Sequence, residues 1–448
     1  MNDVTNERPL PPRRPSLPLV GETIEFVRDP LGFVARRREQ FGSVFQARVL
    51  GMRLVALLGP EASRFIFANE GKVLRNKWSP AILRLLGAQS MAMLVGDAHR
   101  ARRRVLGPHF RRAGMGPWVE PIVRVSEEHL RRWAEHEGET VAVDRFKRLA
   151  FEVAARHIFG ELDALDLPRL SADFDHWVEG MFVPLPWRIP GTAFARAMSA
   201  RERLFAAIGA EVERRAGRPQ TGVDVLGTLL ELRDEDGQPL PHTTIVDEIQ
   251  LLMFAGHDTT VTALTNVLVH LLQHPEVLAE ARAEQDARGD APFDLDALRS
   301  MPVLESVLNE SMRVVPPIGG AFREFIADTE YGGFRLRRGM VALMSPSGAH
   351  RDESVWPEPE RFDPSRWRAP RAEHEQHPFA FIAFGGGPRR CIGEHFAMIQ
   401  MQIVLAKLLR EYDWALADGQ DLRYRYLPFP RPRSGLRLRM QARLVGEG

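Results

Sequence analysis

A chain of 448 residues with 44% apolar side chains can bury a large core, and its 60 basic against 59 acidic side chains leave a net charge of +1, which gives no reason to expect a nucleic acid as partner. No run approaches the roughly eighteen uninterrupted apolar residues of a transmembrane anchor, and Met1–Pro9 lacks the apolar core of a signal peptide. The single cysteine, Cys391, excludes an intramolecular disulfide and any zinc or iron–sulfur centre built on several thiolates; with no export signal, it fits a reducing, cytoplasmic setting.

Residues 1–17 form a Pro-rich lead-in expected to be extended or poorly ordered, and 18–448 read as one domain. Val44–Leu58 reads as two strands around a turn at Gly51-Met52. Apolar periodicity then predicts helices over Pro60–Asn69, Trp118–His136, Arg145–Phe159, Ala193–Arg215 and Val223–Arg233. The longest helix, Ile245–Gln273, is expected to start on a capping box of Thr244 and Asp247 and to stop before Pro275. At 1.5 Å per residue it spans about 45 Å.

The middle of that helix, Ala255-Gly256-His257-Asp258-Thr259-Thr260, breaks helical rules. A glycine inside a helix costs roughly 1 kcal/mol against alanine. One reading is a packing glycine with a threonine bonding back one turn. The other is a locally opened helix lining a site, with an acid–alcohol pair for proton transfer. Further on, Glu310 and Arg313 share a helix face, and their pairing needs a third group if it is buried.

Short strands punctuated by Gly332-Gly333 and Arg338-Gly339 fill Glu330–Met344. A long irregular connector, Pro357–Pro370, continues through a polar stretch to His377, whose His374 and His377 read as solvated. Connectors this long usually have a job. After the Cys391 segment come a helix over Phe396–Leu409 and a weak hairpin signal over Tyr424–Gln441. The fold class is mainly α, a single large helical domain with small peripheral β-sheets.

Cys391 closes the run Phe384-Gly-Gly-Gly-Pro-Arg-Arg-Cys391-Ile-Gly393, just before a predicted helix N-terminus. It is either a buried structural thiol or a thiolate on a glycine-opened turn, favoured by the helix end and poised for a metal. No phosphate loop or Gly-x-Ser-x-Gly elbow competes with that reading.

Four motifs then stand in a familiar order. Phe384, Gly387, Arg389, Cys391 and Gly393 fill Phe-x-x-Gly-x-Arg-x-Cys-x-Gly. Ala255, Gly256, Asp258 and Thr259 fill Ala-Gly-x-Asp-Thr; Glu310 and Arg313 fill Glu-x-x-Arg; Arg361 stands in Pro359-Glu-Arg361-Phe362. From about Pro18 to its end the chain resembles the cytochrome P-450 family of haem-thiolate monooxygenases.

The resemblance implies haem b ligated by Cys391, with Phe384 packed beside the sulfur. It implies propionate contacts from Arg103, Arg323, Arg389 and His99, the last a position where many relatives carry tryptophan. Gly256 would leave room for O2, while Asp258 and Thr259 would move protons. Glu310, Arg313 and Arg361 would form a structural triad holding the cysteine loop. Ala255, Ile318, Ala321 and Phe429 would border a pocket built from Trp78–Met93, Leu251–Thr259, Ile318–Phe322 and Leu427–Pro430. A hydrophobic small molecule is expected there, such as a terpenoid, retinoid, fatty acid or steroid; Pro18–Phe26 is similar to the retinoid-hydroxylating branch. With no flavin or nicotinamide fingerprint in the chain, electrons would come from a ferredoxin or flavodoxin fed by an NAD(P)H-dependent reductase. Arg100, Arg102, Arg104, Arg111, Arg112 and Arg390 are the expected basic docking face. A peroxide-driven peroxygenase and a non-catalytic haem sensor are the alternatives.

Overall fold

The computed structural model describes residues 8–15, 21–183, 185–218, 223–233 and 237–443. Residues 1–7 and 16–20, in the Pro-rich lead-in and at the expected start of the domain, lie outside them. The chain divides into two compact units, each assembled from separate stretches of sequence.

The first unit comprises Met1–Trp78, Glu305–Cys391 and Arg423–Arg433. Its centre is a five-stranded sheet in the order Val44–Val49, Met52–Leu57, Val341–Met344, Ala321–Phe325, Leu74–Asn76. Only the pairing of Met52–Leu57 with Val341–Met344 is parallel. Alternate residues go to opposite faces, as a strand requires. Val55, Leu57, Ala342 and Met344 join one apolar cluster, and Leu54, Ala56, Val341 and Leu343 join the other. Both faces being covered explains why these strands read as continuous apolar runs.

Val49 pairs with Met52, so the turn is Leu50-Gly51, one residue earlier than expected. Both turn residues have positive φ, 52° and 74°, as the tight hairpin turn that matches strand twist demands. Gly332-Gly333 makes a similar turn, with φ of 58° and 82°, between Thr329–Tyr331 and Phe334–Leu336. Residues 8–15 of the lead-in lie extended: the Pro11 and Pro12 carbonyls accept from Gln46, both at 2.8 Å.

The second unit comprises Ser79–Leu304, Ile392–Leu422 and Ser434–Gly448 and carries most of the helices. Its axis is the helix His242–Gln273, apolar nearly all round and packed against Ala142–Phe159 and Ala193–Arg215. This helix starts at His242 with Pro241 at its cap and no capping side chain. The expected capping box is therefore wrong: Thr244 and Asp247 lie inside the helix, and the Asp247 carboxylate bonds elsewhere. The C-terminal hairpin is corrected too. Arg437–Ala442 pairs with Tyr412–Leu416 and Thr140–Val141, whereas Tyr424–Arg425 pairs with Arg431–Pro432. Among the described residues no helix is long and apolar enough to cross a membrane.

Candidate functional site

In the first unit the cysteine segment folds as a turn that only glycine could build. Gly385 and Gly387 have φ of 71° and 61°, a region that side chains disfavour. A Cβ on Gly386 would lie 2.6 Å from the Phe67 ring, and one on Gly387 would lie 3.0 Å from the Phe67 carbonyl. The Cys391 N–H donates to the Phe384 carbonyl at 2.8 Å and closes the loop. Its thiol side chain is exposed, which excludes the buried structural thiol.

Glu70 draws two of the predicted arginines together. Arg389 Nε donates to its Oε1 at 3.1 Å, and Arg323 Nε to its Oε2 at 2.7 Å. Burial pulls the Arg389 guanidinium below its ordinary value, against the pull of Glu70. Phe67 and Glu70 escaped the sequence reading because their partners lie hundreds of positions away and neither falls in a motif.

Beneath the turn lies a buried charge network. Glu310 and Arg313 pair at 2.8 Å, both with fully buried side chains. The expected third member is wrong. The Arg361 side chain is 63% exposed beside Glu358, and only its backbone carbonyl takes part, accepting from Arg313 Nη2 at 3.0 Å. Arg366 is the second guanidinium, 3.0 Å from Glu310 and 2.5 Å from Glu373. Trp367 Nε1 donates to Glu310 at 2.9 Å. Glu373 is buried, and His374 stacks on Trp367 at 4.9 Å, so the polar stretch is part of the fold and not simply solvated.

His350 joins this network to the turn. Its Nδ1–H donates to the Arg313 carbonyl at 3.1 Å, and its Nε2 accepts from the Ile382 N–H at 2.9 Å. Burial, helped by Arg313, pushes its pKa down to about 3, which matches the neutral ring this geometry needs.

In the second unit the central helix stays α-helical through Ala255–Thr260. Thr259 Oγ1 donates to the Ala255 carbonyl at 2.9 Å. A Cβ on Gly256 would meet only the Phe396 ring, at an ordinary 3.8 Å, so packing does not demand the glycine. Neither reading of this segment holds whole: the threonine bonds back, yet the helix is not opened. What stands out is exposure. Ala255 is exposed and Gly256 and Thr259 are half-buried, in a helix otherwise almost wholly buried. Small side chains thus leave an open stripe along one face. Asp258 turns away from it, buried beside His257. His257 Nε2–H donates to the Lys147 carbonyl at 3.0 Å, so its Nδ1, 3.4 Å from an Asp258 carboxylate oxygen, makes a hydrogen bond only if one of the two groups holds an extra proton.

His99 is buried and Arg103 half-buried, one turn apart on Gly96–Phe110. The expected docking face loses two members. Arg102 turns inward to Glu248, and Arg112 donates to the Leu295 carbonyl. Arg100 is neutralised by Asp97, while Arg104, Arg111 and Arg390 are exposed. Of the expected pocket residues in the first unit, Ile318 is exposed, Ala321 is half-buried on its strand, and Phe429 is buried with the Arg431 guanidinium 5.3 Å from its ring centre.

The first unit thus holds a cysteine out on a glycine turn that is tied to a buried Glu–Arg network, and the second leaves a small-residue stripe along its long central helix. The family model described as Cytochrome P-450 matches residues 11–438. The cytochrome P-450 120 of Synechocystis sp. is 33% identical, covering 98% of both chains. Abscisic acid 8'-hydroxylase 3 of Oryza sativa is 32% identical over 95% of this chain and 85% of its own. Cytochrome P-450 26B1 of Mus musculus is 29% identical over 97% and 87%. A solved structure, retinoic acid bound cyanobacterial CYP120A1, superposes with a TM-score of 0.90 at 33% identity, covering 98% of this chain and all of that one. The chain belongs to the cytochrome P-450 family and has its fold, and it is a monooxygenase.

Proposed function

We propose that this enzyme uses O2 and two externally supplied electrons to hydroxylate an isoprenoid acid or a similar hydrophobic small molecule. The observation that carries the chemistry is the exposed Cys391 thiol on a turn whose amide is tied back to Phe384. The substrate class is supported by two relatives, one solved with retinoic acid and one named for abscisic acid.

Haem b would be held by Cys391, with Arg323, Arg389, His99 and Arg103 toward its propionates. Bound there, a thiolate-ligated haem supplies O2 activation and insertion of one oxygen atom into a C–H bond, the other leaving as water. The chain's residues supply position and protons. N–H groups around the turn temper the sulfur's charge. The open stripe of Ala255, Gly256 and Thr259 gives a small diatomic room beside the helix. Thr259 spends its hydroxyl proton on Ala255 at rest, so its oxygen is left to accept from water on the stripe, and Asp258, beside His257 on the buried side, is the carboxylate that would pass protons on. In the second unit the exposed Arg104 and Arg111 would steer an acidic ferredoxin or flavodoxin, itself reduced by an NAD(P)H-dependent reductase.

The absorption spectrum of the dithionite-reduced protein under carbon monoxide tests this reading. A strongly red-shifted Soret band is expected, and a band typical of histidine-ligated haem would refute it. Thr259→Ala is expected to keep electron consumption while product per NAD(P)H falls by roughly tenfold, less than the usual loss of a positioned proton donor because water can stand in. Unchanged coupling would remove Thr259 from the proton path.

A further inference from the structure

The first turns of the central helix carry two carboxylates that the proposed chemistry does not use. Glu248 is wholly buried. Its Oε2 accepts from the Met91 N–H at 2.9 Å and from Arg102 Nη1 at 2.8 Å, while its buried Oε1 has no hydrogen-bond partner. Asp247, beside it, accepts from the Gln89 N–H at 3.3 Å and from Arg201 Nη2 at 3.4 Å. Both carboxyls therefore grip the loop between the helices Pro80–Leu85 and Gly96–Phe110. The fit leaves no slack: a Cβ on Gly87 would lie 1.8 Å from Asp247 Cγ. Ser90 Oγ closes the loop's own turn on the Gly87 carbonyl at 2.7 Å, and Arg201 Nε fixes its start on the Leu85 carbonyl at 2.9 Å.

A carboxylate with one oxygen buried and unpartnered is poorly stabilised when charged. With a proton it tolerates the same burial. We propose that Glu248 is a positioning residue, a proton-held latch that keeps the Gly87–Met91 loop down while its carboxyl is neutral and lets the loop lift when it ionises.

The direction follows from where the proton binds more tightly. Burial raises the Glu248 carboxyl from 4.5 to about 7, with Arg102 opposing and Asp247 adding to the rise. Arg102, from Gly96–Phe110, and Asp247, on the same helix, are the charged groups facing it; Arg201, from Ala193–Arg215, faces Asp247. Lifting the loop hydrates Glu248 and returns it toward its ordinary value, so the closed loop is the form that prefers the proton. The contribution to closure is full below about pH 4.5 and is lost as pH rises through about 7.

That this loop borders the substrate rests on the function proposed above. The latch itself does not, so its test reads the loop directly. Hydrogen–deuterium exchange of the holoenzyme, corrected for intrinsic exchange, would follow the Gln89 and Met91 amides. Protection is expected to fall about tenfold between pH 6 and pH 8 in the wild type. In Glu248→Gln it should be independent of pH and stay at the higher level that the wild type approaches only below about pH 4.5. Protection that is flat or rises with pH in the wild type overturns the latch, as does an equal fall in the variant. Should the variant fail to fold, the wild-type pH series decides alone. The expected exchange pattern in a protein lacking the red-shifted carbon monoxide band would uphold the latch and remove the monooxygenase reading.

Discussion

Glu310→Ala is expected to destabilise the first unit by about 3–5 kcal/mol, the usual consequence of removing one partner from a buried ion network, whereas Arg361→Ala should cost less than about 0.5 kcal/mol. The asymmetry follows from a count of donors. Glu310 accepts from Arg313 Nε and Nη2, Arg366 Nε, Trp367 Nε1 and the Asp363 N–H, all within 3.0 Å. Removing it leaves the buried Arg313 without its carboxylate partner and Arg366 with Glu373 alone. Arg313 meanwhile spends its other N–H groups on the carbonyls of His350, Pro359 and Arg361, so the loss propagates into the connector. Through His350 it reaches Ile382, whose carbonyl accepts from the Gly385 N–H at 2.9 Å. The cysteine turn should therefore loosen along with the network. Arg361 contributes only its backbone, which alanine preserves. Urea unfolding of the holoprotein, read by circular dichroism and haem retention, measures both. A larger loss in Arg361→Ala than in Arg366→Ala would reverse this assignment. Arg366→Lys is expected to rescue little, because one ammonium cannot replace five forked donors.

What could be read from the chain and what could not divide along a physical line. The motif residues were legible because turn chemistry and helix spacing are local. Gly385 and Gly387 need positive φ, and Glu310 and Arg313 are one helical turn apart. The long helix was visible in its periodicity, and the sheet strands in their unbroken apolar runs. The misses depend on side chains meeting across long separations. Arg361 and Arg366 stand in the same connector, and nothing in either neighbourhood says which guanidinium turns inward. Glu70 gathers Arg323 and Arg389 without belonging to any pattern. Thr244 and Asp247 matched a capping box by type, but Pro241 starts the helix earlier and Asp247 is claimed by the loop around Gly87. Arg102 resembled its exposed neighbours, yet the buried Glu248 turns it inward.

Cys391→Ala is the opposite experiment from Glu310→Ala, since it should remove function and spare the fold. The thiol is exposed, so its loss uncovers no core, and alanine keeps the backbone N–H that bonds Phe384. The glycines that shape the turn against Phe67 are untouched, as is the network below. The unfolding midpoint of the haem-free protein should shift by less than about 0.5 kcal/mol equivalent. The sulfur is nonetheless the one soft, anionic ligand the sequence offers a haem, and no other cysteine can replace it. The red-shifted Soret band of the reduced, carbon monoxide-treated protein should vanish, and product formation should fall to background with any substrate that the wild type accepts. A persisting thiolate-type band in Cys391→Ala would show that the ligand lies elsewhere. A variant that fails to fold would show that the turn depends on the sulfur itself, contrary to its exposed position and to the hydrogen bonds that define it.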